Sequence, residues 1–101
     1  MVNVIATVQV KKGKVQEFID LFKSVVPKVK AEKGCMEYFP TVDMPTGIPP
    51  QALNENEVTI IERWESLDDL MAHLSTPHMA EHMEKEKDLV EKAFIKILKE
   101  A

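Results

Sequence analysis

The sequence predicts an α+β fold, a ferredoxin-like antiparallel sheet with helices on one face. Three observations point to it. "VNVIATVQV" (residues 2–10) and "EVTIIERW" (57–64) carry β-branched residues largely on a period of two, the pattern of half-buried strands. Each is followed by apolar residues at helical spacing. A closing strand at "AFIKILK" would complete the order strand, helix, strand, strand, helix, strand, which puts the helices on one face of the sheet. At 101 residues the chain reads as one domain, 1–101, with a single modest core.

"KKGK" ends the first strand in a glycine turn. Val15, Phe18, Ile19, Phe22, Val25, Val26 and Val29 then recur on one helical face, and the helix is expected to end near Gly34, kinked by Pro27. "CMEYF" is a short second strand. Residues 40–57, "PTVDMPTGIPPQALNENE", hold four of the six prolines, a long loop of the kind that usually carries function or moves. After the third strand, Ser66 reads as an N-cap with Asp69 completing a box-like start, so that Leu67, Leu70, Met71 and Leu74 face a core. Thr76-Pro77 starts another helix, since proline suits the first turn. Periodicity leaves "KDLVEKAFIKILKEA" open between helix and strand.

Such a sheet would leave a row such as Val4, Ala6 and Val8, or their alternates, on a face no helix covers. A second subunit is the simplest cover, so a homodimer is expected.

Composition narrows the function. A formal net charge of −4 argues against nucleic acid, whose phosphates need clustered Lys and Arg. No apolar stretch approaches the roughly 20 residues that cross a bilayer, and no signal-peptide pattern opens the chain, so no membrane partner is expected. The single cysteine, Cys35, cannot form an internal disulfide and points to a reducing, cytoplasmic setting.

The three histidines, His73, His78 and His82, all follow the sole tryptophan, Trp64. His78 and His82 lie four apart on one helical face and could chelate zinc with His73 or Glu81. No H-E-x-x-H motif or cysteine pair closes a ligand set, so no metal is expected, and His82 beside "EKEK" reads as a solvated surface residue. His73 borders the core, where a proton-transfer group and a hydrogen-bonded structural histidine are the two readings; spacing alone leans toward the second. His78 follows Pro77 at a helix start. Trp64 and Glu62, two apart on a strand, share a face and could line a flat aromatic pocket or simply join the core.

"ERWES" followed by "AHLSTPHM", with "GCMEYFPTVD" upstream and the terminal "FIKIL", resembles the antibiotic biosynthesis monooxygenase family, and its quinol-oxidising members in particular. The resemblance implies that "AFIKILK" is the last strand, that the chain forms a dimeric α+β barrel, and that a pocket lies between sheet and helices. It also implies oxidation of a quinol to a quinone by O2 with no cofactor: no metal, flavin or haem. In that chemistry the substrate is its own reductant, and the protein supplies a base, a dry flat pocket and hydrogen bonds. His73 is the expected base with Glu62 as the alternative; Trp64, Tyr38, His78, Asn3 and Asp43 are the expected substrate contacts. Haem-degrading relatives place Asn, Trp and His where this chain has Ala6, His73 and, with a gap, His82, which argues against haem. Two other readings stay open: an isomerase or degradative enzyme for a small phosphorylated signalling molecule, and a non-catalytic ligand-binding stress protein. The first would want a cation in the pocket, and Arg63 is expected to face away from Trp64.

Overall fold

The computed structural model describes residues 1–101. Its elements run β1 (Val2–Val10), α1 (Val15–Lys30), β2 (Cys35–Val42), β3 (Glu57–Trp64), α2 (Leu67–Leu74), α3 (Pro77–Glu86) and β4 (Val90–Leu98). The strands pair antiparallel in the order β2-β3-β1-β4, with the central β1 between β3 and β4. This is the ferredoxin-like arrangement, and the terminal segment is a strand. It begins at Val90, earlier than the apolar run "AFIKILK" suggests, because Leu89 is buried and anchors the turn out of α3. The molecule measures 37 × 35 × 20 Å, and its thin axis accommodates one sheet and one helical layer.

Helix α1 buries Phe18, Phe22, Val25 and Val29, spaced four, three and four apart, which is one face of a helix. It runs through Pro27 to Lys30 and is capped by Ala31, short of the expected end at Gly34. Ser66 caps α2 by accepting the Asp69 backbone N–H, and Thr76 caps α3 by accepting that of Met79, with Pro77 in the first turn. No helix is long and apolar enough to cross a membrane.

The core lies between the helices and one sheet face, where Val4, Val8, Val58 and Ile60 are buried. Of the two rows that could have needed an outside cover, Val4, Ala6 and Val8 form the inner one. The outer face is set by its alternates, Asn3, Ile5, Thr7 and Gln9, and is a mixture of polar and apolar residues. Apolar exposure concentrates instead on the edge strand β4, where Phe94, Ile95, Ile97 and Leu98 are all exposed.

Helix α2 also departs from expectation. Of the four apolar residues expected inward, Leu70 alone is buried, while Leu67, Met71 and Leu74 are more than half exposed. The helix is turned so that Leu70 and His73 face the sheet. Two contacts account for this rotation: the His73 ring lies against the Trp64 indole, and its Nδ1 is held by a carboxylate.

Candidate functional site

The sheet supplies three of the site's side chains by register. Tyr38 on β2 pairs with Glu62 on β3, which pairs with Val4 on β1, so all three point into the core in one row. Two residues along β3, Trp64 points the same way and is fully buried. Its indole N–H donates to Glu62 Oε1 at 3.0 Å. From above, α2 lays His73, 2% exposed, on the Trp64 indole with centroids 4.6 Å apart, and Tyr38 meets the same imidazole edge-on at 5.4 Å. Tyr38 in turn stacks on Phe22 at 5.1 Å, and Phe22 meets His82 edge-on. A continuous line of rings thus crosses the core.

A residue outside the expected set completes the arrangement. Glu32, in the turn after α1, brings both carboxylate oxygens to His73 Nδ1 at 3.0 and 3.1 Å and shares Oε2 with His78 Nε2 at 2.7 Å. Glu32 is 12% exposed and His78 20%, so the group leads from a buried ring toward the surface. Gly34 makes this approach feasible. Its φ of +80° suits glycine, and a Cβ there would fall within 2.7 Å of the Asp69 side chain in the first turn of α2. The signal in the sequence was faint: a lone Glu between lysines at a helix end reads as solvated.

Of the residues expected at the site, Glu62, Trp64, Tyr38, His73 and His78 come together, the last through Glu32. Asn3 and Asp43 do not. Asn3 pairs with Arg63 on the outer face, so both point away from Trp64. Asp43 follows the end of β2 opposite Val58, roughly 20 Å along the strand from Trp64 at about 3.3 Å per residue, and its carboxylate caps the loop by accepting the Asn54 backbone N–H. His82 is corrected as well. It is 4% exposed rather than solvated, with Nε2 on Glu86 at 2.9 Å and Nδ1 buried without a partner. The turn of α3 that carries it packs on α1, and charged neighbours in sequence did not reveal that face.

The pocket implied between sheet and helices is filled by these side chains. Among the open clefts, one of about 660 Å³ lies away from them, between α1 and the long loop beside Asp43, and one of about 400 Å³ is bordered by Glu32, Asp68, Asp69 and Thr76. Trp64 is fully buried, and α2 above it is anchored by two buried residues, Leu70 and His73. No three metal-ligating side chains are grouped to hold an ion.

Burial sets the electrostatics. It pushes the Glu62 carboxyl above its ordinary range, while the Trp64 N–H and the nearby His73 pull it back. It also pushes the Tyr38 phenol up, helped by the Glu62, Glu86 and Glu32 carboxylates, so Tyr38 remains an O–H donor. The Glu62 shift has a definite sign for stability. Folded Glu62 keeps its proton to higher pH than the unfolded chain does, so stability falls as pH rises from the ordinary value of 4.5 through the raised one. Glu62→Gln retains an acceptor for Trp64 and removes this pH dependence. Its melting temperature relative to wild type should therefore climb from about pH 4 to about pH 8; a difference that stays flat would refute a raised Glu62.

Comparison with known proteins places the chain. Residues 1–85 match the family described as antibiotic biosynthesis monooxygenase. The chain is 39% identical over 100 residues to the "Probable quinol monooxygenase YgiN" of Escherichia coli (strain K12), covering 97% of this chain and 96% of that protein. A conserved protein from Methanosarcina mazei Go1 superposes with a TM-score of 0.85 at 28% identity, over 99% of this chain and 92% of that one. A protein from Mycobacterium tuberculosis superposes with a TM-score of 0.82 at 20% identity, over 99% and 94%, which speaks to the fold.

Proposed function

Since the chain belongs to the antibiotic biosynthesis monooxygenase family, we propose that it is a cofactor-independent monooxygenase that oxidises a quinol, or a similar electron-rich aromatic, with O2. The observation that carries this reading is a buried imidazole packed on an indole, with a phenol edge-on to it and a carboxylate on its Nδ1. The name of the Escherichia coli relative supports the quinol. The outward position of Arg63 disfavours a phosphorylated substrate in the same site.

His73 takes a proton from the quinol, with Glu62 the alternative base. The resulting anion gives one electron to O2, and the radical pair joins at a ring carbon bearing hydrogen. The peroxide takes the proton back from His73 and loses water together with the ring hydrogen, which leaves one oxygen atom on the ring, as a quinone, and one in water. Trp64 forms the wall of the site, and the Tyr38 O–H donates to the developing negative charge. Anaerobically prepared quinols, mixed with oxygen-18 gas, test the reaction. Oxygen uptake above autoxidation with one labelled atom in the quinone is expected; a rate equal to autoxidation would move the chain to a binding role.

A homodimer is part of the same proposal. It is supported by the exposed Phe94, Ile95, Ile97 and Leu98 on an unpaired edge strand and by the stripe of Leu67, Met71 and Leu74 on α2. Sedimentation at micromolar concentration should return about twice the chain mass, as a closed two-fold pair requires. Recovery of a monomer would remove the barrel.

A further inference from the structure

We propose that Glu32 is the positioning residue of the site. It fixes His73 in the Nδ1–H tautomer and so leaves Nε2 with a bare lone pair for the substrate proton. The proposal rests on the reading of His73 as the base, and it starts from a counting argument. An ionised carboxylate can only accept hydrogen bonds. Both Glu32 oxygens lie on His73 Nδ1, and Oε2 also lies on His78 Nε2, so each of these nitrogens must carry its hydrogen. A neutral imidazole has one N–H. If it sits on Nδ1, Nε2 is unprotonated, and His73 Nε2 makes no hydrogen bond to any other group of the chain.

Packing then removes the alternatives. A ring flip would turn Cδ2 toward Glu32 in place of Nδ1 and lose both contacts, and the Trp64 indole and the Tyr38 ring hold the imidazole on two sides. The carboxylate is itself held. The Glu32 N–H donates to Val29 O, the Cys35 N–H donates to Glu32 O, and His78 pins Oε2 from a third element. When Nε2 accepts a proton, the imidazolium forms already paired with a carboxylate, the role such an acid plays behind a catalytic histidine. A merely structural bridge from α1 to α2 and α3 would fix the same tautomer, but its loss would leave kcat unchanged.

The tautomer can be measured without any substrate, and the kcat of a Glu32 variant then separates the two roles. In protein labelled with nitrogen-15, the two-bond correlations of the neutral His73 ring should show a protonated Nδ1 and an unprotonated Nε2. Glu32→Ala should lose this pattern to a tautomer mixture. It should also lower kcat for quinol oxidation by about tenfold to a hundredfold with KM little changed, since Glu32 does not touch the substrate. A wild-type ring protonated on Nε2 overturns the proposal, and so does a Glu32→Ala variant that keeps both the Nδ1–H pattern and the wild-type kcat. Wild-type protein without oxidase activity would defeat the reaction itself, and the nitrogen shifts would still decide the tautomer.

Discussion

His73→Asn should lower quinol turnover by on the order of a hundredfold or more, the usual contribution of a positioned general base. Asn is smaller than imidazole but can still face Glu32, so the buried carboxylate keeps a donor and the fold should persist. Binding of the quinone product should survive, because the indole of Trp64 and the phenol of Tyr38 remain to hold it. Steady-state turnover together with product titration measures both quantities. If the variant turns over like wild type, the imidazole is structural and Glu62, the other titratable group in contact with Trp64, becomes the base. That outcome would also strip Glu32 of a catalytic consequence while leaving its effect on the ring nitrogens intact.

Trp64→Ala should cost about 3–5 kcal/mol of stability, the range for deleting a large buried aromatic. Trp64 is fully buried, and its indole N–H is a hydrogen-bond donor to the buried Glu62 carboxylate. Stranding that carboxylate adds about 1–3 kcal/mol. Against a total of about 5–15 kcal/mol for a typical domain, the variant should be close to unfolding at ambient temperature. Trp64→Phe separates the two contributions, since it keeps an aromatic ring beside His73 and removes only the donor and part of the volume. Urea denaturation of the three proteins should rank wild type above Phe above Ala. A Phe variant as stable as wild type would show that the Trp64–Glu62 bond contributes nothing net, and an Ala variant nearly as stable would remove Trp64 from the centre of the core.

The sequence by itself determined the elements and which side chains share a face. Ser66 and Thr76-Pro77 mark helix starts because a side-chain oxygen there can accept a free backbone N–H, a local requirement that local residues meet. The alternation of β3 sets Glu62 and Trp64 together and Arg63 opposite, whatever the strand packs against. The final strand was legible only through resemblance, since a short apolar run fits a buried helix or a strand equally well. What tertiary structure decided were the partners. Glu32 lies 41 residues from His73 and 46 from His78 in the chain, and nothing in a charged helix end announces that its carboxylate will turn inward. The rotation that buries His73 and exposes Met71, the burial of His82, and the filling of the implied pocket follow from the same cause. Periodicity states which residues travel together on a helix or strand; which neighbour a face meets depends on contacts that form only when distant segments close on one another.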